Sequence, residues 1–157
     1  MGDRISKIAV RQSIGFSDNI PVVPGWFRIV HTENAGAAFG VLAEGNAVLR
    51  SAVLIGISSL VLVSVAVALW GRRSQVHGTV SRIGLALILG GALGNMYDRL
   101  FRGTVTDFIE VYHGLWSFPA FNVADSAITV GGALLIFDLL YPGSQTHLRN
   151  RTEIANK

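Results

Sequence analysis

The sequence predicts a small bundle of membrane-spanning α-helices that carries a β-rich segment on one membrane face. Half of the 157 residues are hydrophobic and only 15% are charged, whereas an ordinary soluble domain carries about 25% charged residues. The mean hydropathy is +0.48. Three long apolar segments, at residues 51–70, 79–99 and 124–141, each approach the length of about 20 residues that crosses a bilayer as a helix. At this length we expect a single domain, residues 1–157.

The first fifteen residues precede these segments and do not themselves form a span. Their apolar run is too short for a signal peptide or a transmembrane helix. We interpret residues 1–15 as the remnant of a first helix, with Met1 a late start or an engineered cut. The alternative is a three-helix protein whose amino terminus is translocated.

Residues 16–47 are predicted to form a β-rich cradle on the membrane surface. Pro24 and Gly25 are a turn signal, and residues 26–31 (WFRIVH) are rich in strand-forming side chains. Trp26 is an aromatic residue of the kind that lies well at the headgroup level. A polar loop is predicted over residues 100–123, between the second and third apolar segments.

The basic residues set the orientation in the membrane. They are Arg72, Arg73 and Arg82 in the connection 71–82, and Arg149, Arg151 and Lys157 in the tail 142–157. Because cytoplasmic loops carry the excess of Lys and Arg, both regions are predicted to be cytoplasmic, and residues 1–50 and 100–123 to face the other side. Aromatic residues are not interleaved with these basic clusters, so we expect no nucleic-acid partner.

Two carboxylates stand where the chain meets the predicted outer face. Asp107 lies in GTVTDFIEV after the second apolar segment, and Asp125 lies in FNVADSAITVGG where the third begins. Carboxylates at membrane depth usually face an interior cavity and have a function. A close pair cannot readily ionise together, so one acid can hold a proton while the other activates water, which is the chemistry of metal-free peptide hydrolysis. The structural alternative is that each acid caps a helix.

Four short sequence motifs connect this pattern of acids to a known protein family. They are HTENAGAAFG (31–40), GGALGNMYDR (90–99), VTDF (105–108) and FNVADS (121–126). In this order and spacing they resemble the signature blocks of the lipoprotein signal peptidases, or signal peptidase II, over roughly residues 3–141. The segment DRISK (3–7) is similar to the family's DQxSK block at the outer end of its first helix, with Arg4 in place of glutamine. The resemblance implies four transmembrane helices, the first of them truncated here.

The resemblance also implies the site and its substrate. Asp107 and Asp125 match the catalytic pair, and the matching substrate-binding positions are Asn34, Gly36, Asn95, Arg99, Asn122, Asp3 and Lys7. The implied enzyme is a monomeric multi-pass protein of the bacterial inner membrane, in contact with membrane lipids, with its active site near the extracytoplasmic face. It needs no cofactor or metal, and it cuts a prolipoprotein before a cysteine that carries a diacylglyceryl group.

The residues themselves leave several alternatives open. Asn34 could be a turn residue, Asn95 and Asn122 could form interhelical hydrogen bonds, and Asp98 with Arg99 could be an anchoring ion pair. Gly90 and Gly94 form a GxxxG motif that favours close helix packing.

Other classes of protein fit less well. Neither an HExxH nor a GxSxG motif is present, and the chain has no cysteine. A proton-coupled transporter or channel subunit is opposed by the placement of both acids at one face, and an inactive lipopeptide-binding relative is opposed by the retention of both.

Overall fold

The computed structural model describes residues 1–36, 47–70 and 78–141. The predicted tail 142–157 and the basic pair Arg72 and Arg73 lie outside the described residues. The elements in chain order are α1 (Gly2–Ser13), β1 (Asn19–Val23), β2 (Phe27–Asn34), α2 (Ala47–Trp70), α3 (Thr79–Arg102), β3 (Val105–His113), β4 (Trp116–Ser117) and α4 (Val123–Leu140).

Helices α2, α3 and α4 overlap the three apolar segments of the sequence. Among the described residues, α3 and α4 are long and apolar enough to cross a membrane, and α2 contributes the apolar stretch Ala52–Val67. Large apolar side chains of these helices point away from the protein, among them Leu60, Ile83, Leu93, Ile136 and Leu139. A surface of this kind is suited to lipid rather than to water.

Helices α3 and α4 pack against each other through glycines. A Cβ atom added at Gly131 would lie 2.5 Å from the carbonyl oxygen of Gly84, and one added at Gly84 would lie 2.8 Å from the carbonyl oxygen of Gly131. A Cβ at Gly91 would collide with the carbonyl oxygen of Ala124. Gly90, which the GxxxG motif singled out, has nothing within 4 Å of its added Cβ. The close approach to α4 is made instead by Gly84 and Gly91, which share the face that meets α4. Gly94 of the motif does lie at a close contact, because a Cβ added there would lie 2.9 Å from Asp3 Oδ2.

The β-rich segment is an antiparallel four-stranded sheet in the order β1-β2-β3-β4. Strand β2 pairs with β3, so that Thr32 lies opposite Asp107 and Asn34 opposite Val105. The prediction of a loop over residues 100–123 is wrong for much of that range, because α3 continues to Arg102 and residues 105–113 form β3. The segment VTDFIEVYH is rich in Val, Thr, Phe, Ile and Tyr, which favour strands. Strand β3 thereby carries Asp107 from the end of α3 into the sheet.

Candidate active site

Asp107 and Asp125 are brought together by the junction of the sheet with α4. Asp107 lies on β3, next to β2, and Asp125 lies in the first turn of α4. The side chain of Asn122 lies between them. Its Nδ2 donates to Asp107 Oδ1 at 2.6 Å, and its Oδ1 accepts the backbone N–H of Asp125 at 3.0 Å. One buried residue therefore contacts both the Asp107 carboxylate and the backbone of Asp125.

Asp125 is held by the start of its own helix and by α3. Asn122 and Asp125 form a capping box, in which the backbone N–H of Asn122 donates to Asp125 Oδ2 at 3.1 Å. From α3, Asn95 Nδ2 donates to Asp125 Oδ1 at 2.7 Å. Helix N-termini and N–H donors favour a negative charge. Asp125 therefore caps its own helix, as the structural alternative predicted, and it also contacts Asn95 of α3.

Asp107 is the more buried of the two acids, with a residue exposure of 3%. Burial raises the pKa of Asp107 to about 6, and the charge of Asp125 adds to this rise. Two amides oppose the rise by donating to the carboxylate: Asn34 Nδ2 at 3.0 Å from Oδ2 and Asn122 Nδ2. Asp107 is therefore a carboxyl that can change its protonation state near neutral pH.

Both acids line a cavity of about 1130 Å³ between the sheet, the last turns of α3 and the first turns of α4. Asn34, Gly36, Asn95 and Arg99 also line it, whereas Asn122 is fully buried behind it. The apolar part of the wall is formed by Phe118, Pro119, Phe121, Ile128 and Val130. The cavity thus joins a polar end, which contains the two carboxylates, to an apolar surface.

Arg99 lies in the cavity rather than in the anchoring pair with Asp98 that the sequence suggested. Asp98 instead pairs with Lys7, whose Nζ lies 2.8 Å from Asp98 Oδ2. Arg99 makes one long bond, from Nη1 to the carbonyl oxygen of Asn95 at 3.4 Å, and its buried Nε has no hydrogen-bond partner among the described residues. A cation with spare donors therefore lies beside the two acids.

Asp3 and Lys7 lie behind the cavity and are not part of its lining. Lys7 is 1% exposed, and its Nζ contacts Asp3 Oδ2 at 2.9 Å and Asn95 Oδ1 at 2.9 Å. Asp3 Oδ1 accepts the backbone N–H of Ala124 at 2.9 Å. The sequence match at DRISK therefore corresponds to a junction between α1, α3 and the start of α4.

A second polar cluster, which sequence reasoning did not identify, lies on the other face of β3. Thr106 is fully buried, accepts a hydrogen bond from Arg11 Nη1 at 2.8 Å and donates to Glu33 Oε1 at 2.9 Å. Thr104 also donates to Glu33. The alternation of Thr104 and Thr106 with Val105 and Asp107 was the available signal, since alternate residues of a strand point to opposite faces.

No group of His, Cys, Asp and Glu side chains in residues 1–36, 47–70 and 78–141 is arranged to hold a metal ion.

The chain matches known proteins over most of its length. The model of a family described as signal peptidase (SPase) II matches residues 1–141. A lipoprotein signal peptidase of Solibacter usitatus is 43% identical over 143 residues, which are 91% of this chain and 86% of that protein. One of Pseudomonas fluorescens is 44% identical over 141 residues, covering 87% and 79% of the two chains. A solved bacterial membrane enzyme superposes with a TM-score of 0.78 at 30% identity, over 92% of this chain and 84% of the other. The chain belongs to the signal peptidase II family of membrane proteases.

Proposed function

We propose that this protease is an aspartic endopeptidase that removes signal peptides from diacylglyceryl-modified prolipoproteins by cutting before the lipidated cysteine. The observation that carries the proposal is the pairing of Asp107 with Asp125 through Asn122 in one cavity. The relatives named lipoprotein signal peptidase supply the substrate class.

The two acids have different surroundings, which supports a division of labour. Both carboxylate oxygens of Asp125 accept hydrogen bonds at the head of α4, one from a backbone N–H and one from the Asn95 amide. Asp107 is buried and its pKa is raised to about 6. A substrate that excludes water from the cavity would raise this pKa further. Asp125 is therefore the base in the first step, and Asp107 is the acid.

The reaction follows from this arrangement. Asp125 takes a proton from a water molecule, whose oxygen attacks the carbonyl carbon before the lipidated cysteine. Asp107 donates its proton to the carbonyl oxygen, which gives a tetrahedral diol. On collapse, Asp107 recovers a proton from the diol, Asp125 gives its proton to the cysteine nitrogen, and the C–N bond breaks. The titration belongs to the pair, so its macroscopic pKa values describe both acids together.

The remaining cavity residues fit a lipidated peptide. Asn34 and Arg99 have donors near the acids and can hold peptide or ester carbonyl oxygens, and Gly36 allows the substrate backbone to approach closely. Asn95 and Asn122 bind the carboxylates themselves. The apolar wall at Phe118, Ile128 and Val130 suits acyl chains that remain in the bilayer.

We also propose where the enzyme and its active site lie in the cell. We place the site at the extracytoplasmic face of the bacterial inner membrane in a monomeric, multi-pass protein, since Arg99 of the site and the basic residue Arg82 lie at opposite ends of α3. In this proposal α2, α3 and α4 cross the membrane and contact lipid directly.

The test is cleavage of a diacylglyceryl-modified prolipoprotein by purified protein in lipid. We expect Asp107→Asn and Asp125→Asn each to abolish cleavage. The matched control is Asp138→Asn, the same change at the other end of α4, where Asp138 accepts a hydrogen bond from Ser81; this variant should keep its activity. If the wild-type protein binds the lipidated substrate without cutting it, it is an inactive lipopeptide-binding relative. If proton flux rather than cleavage depends on the two acids, it is a transporter.

A further inference from the structure

The buried ammonium of Lys7 is surrounded by polar groups of the protein. Its Nζ donates a hydrogen bond to Asn95 Oδ1 at 2.9 Å and forms ion pairs with Asp3 Oδ2 at 2.9 Å and Asp98 Oδ2 at 2.8 Å. The residue is 1% exposed. Lys7 therefore has almost no accessible surface with which to contact a substrate.

The contact with Asn95 determines which way the Asn95 amide points. Its oxygen faces the Lys7 ammonium, and its Nδ2 donates to Asp125 Oδ1 at 2.7 Å. The reversed amide would place an NH2 group against an ammonium and an oxygen against a carboxylate, two repulsive contacts. The oxygen also accepts from Asn122 Nδ2 at 3.3 Å, which favours the same orientation.

From these contacts we propose that Lys7 is a positioning residue for the peptidase reaction, acting through the Asn95 amide to hold the Asp125 carboxylate in place. The inference rests on the proposed role of Asp107 and Asp125. It assigns Lys7 to the preparation of the site instead of to substrate binding.

Charged groups on four elements lie around Lys7 and around the Asp107 carboxylate whose pKa it affects. Asp3 lies on its own helix, Asp98 and Arg99 on α3, Asp107 on β3 and Asp125 on α4. The positive charge of Lys7 lowers the pKa of Asp107, against the larger effect of burial. Loss of this charge should therefore move the limb of the pH–rate profile that Asp107 contributes to higher pH.

The first variant is Lys7→Met, which keeps an unbranched apolar stem and removes the ammonium. We expect kcat to fall about 10-fold to 100-fold, the loss that corresponds to one hydrogen bond to a charged group, with KM unchanged and the pH limb shifted upward. Arg4→Gln is the matched control on the same helix, because Arg4 is exposed and pairs with Tyr97. It should change neither parameter.

A charge-matched variant keeps the test valid if Lys7→Met does not fold. Lys7→Met with Asp98→Asn removes one positive and one negative charge, so the net charge of the cluster is unchanged. We expect it to fold, to lose kcat as the single variant does, and to show a smaller shift of the pH limb. Full activity in this folded variant would overturn the proposal.

A double-mutant cycle shows whether Lys7 acts through Asn95. Asn95→Leu removes both the acceptor for Lys7 and the donor to Asp125, so adding Lys7→Met to it should cost little further kcat. An equal additional loss in that background, or a rise in KM with kcat unchanged, would overturn the proposal. A lower melting temperature with full activity of the folded fraction would also overturn the proposal.

The aspartate variants distinguish failure of this proposal from failure of the proposed function. If Asp107→Asn and Asp125→Asn remain active, the proposed catalytic pair is wrong. If they are inactive while Lys7→Met is fully active, only the positioning role of Lys7 is wrong.

Discussion

The contact between α3 and α4 gives a sharp prediction, because two adjacent glycines of α3 have opposite surroundings. A Cβ atom at Gly91 would lie 2.8 Å from Ile128 Cγ1 and would collide with the carbonyl oxygen of Ala124, whereas one at Gly90 has nothing within 4 Å. Gly91→Ala and Gly90→Ala are the same chemical change in the same helix. Only the first should disturb the enzyme.

The magnitude follows from the distances. Carbon atoms in contact lie roughly 3.5–4.0 Å apart, so Gly91→Ala must separate the two helices by on the order of 1 Å. Overpacking of this kind costs about 1–3 kcal/mol, which lowers the melting temperature by roughly 2–10 °C for a protein of this size. Asn95 lies one turn beyond Gly91, and its 2.7 Å bond to Asp125 would lengthen with the separation. A misplacement of about 1 Å at a catalytic group can cost roughly 100-fold in rate.

The assay measures thermal unfolding in detergent and prolipoprotein cleavage for wild type and both variants. Gly90→Ala should melt at or above the wild-type temperature, since Ala is favoured over Gly in a helix by about 1 kcal/mol, and should cleave normally. Equal melting temperatures and equal rates for the two variants would refute the packing argument. Gly131→Ala and Gly132→Ala on α4 repeat the comparison, because Gly131 faces Gly84 and Gly132 has nothing within 4 Å.

Three further predictions concern charge and hydrogen bonding. The pKa of Asp107 is raised above its ordinary value of 3.8 to about 6, so its contribution to stability is present at low pH and is lost as the pH rises through about 6. Relative to Asp107→Asn, the wild-type free energy of unfolding should fall by up to roughly 3 kcal/mol between about pH 4 and pH 7, and parallel pH curves from thermal melts would contradict this. Thr106→Val should cost about 1–3 kcal/mol, because it leaves Arg11 and Glu33 without their shared partner; a denaturation midpoint equal to that of wild type would refute this role. Arg99→Met should raise KM roughly 10-fold by loss of a charged donor, and a fall in kcat with unchanged KM would show instead that Arg99 acts on the transition state.

Much of the helical architecture could be predicted from the sequence, because lipid imposes a simple rule on composition and length. The apolar segments 51–70, 79–99 and 124–141 overlap α2, α3 and α4. Strand β3 was missed because its residues were treated as a connection between spans, although VTDFIEVYH contains the side chains that favour strands. A GxxxG motif alone does not show which helix face meets a neighbour. Gly94 of the motif lies at a close contact, whereas Gly90 has nothing within 4 Å and the adjacent Gly91 meets α4.

The candidate site was predictable as a set of residues but not as an arrangement. The motifs selected Asp107, Asp125 and Asn122, and in the structure Asn122 forms hydrogen bonds with both aspartates. The partner of Lys7 could not be read from the sequence, because Asn95 lies 88 positions away and only the packing of α1 against α3 brings the two together. For the same reason Asp98 was expected to pair with its neighbour Arg99, whereas it pairs with Lys7.

The most direct test of the central claim is to identify the cleaved bond by mass spectrometry. Purified protein in lipid is incubated with a diacylglyceryl-modified prolipoprotein, alongside Asp107→Asn, Asp125→Asn and the control Asp138→Asn. We expect a single cut immediately before the lipidated cysteine by wild type and Asp138→Asn, and no cut by either of the other variants. The same cut by Asp107→Asn or Asp125→Asn, or no cut by folded wild-type protein, would show that the two aspartates are not the catalytic pair of a signal peptidase II reaction.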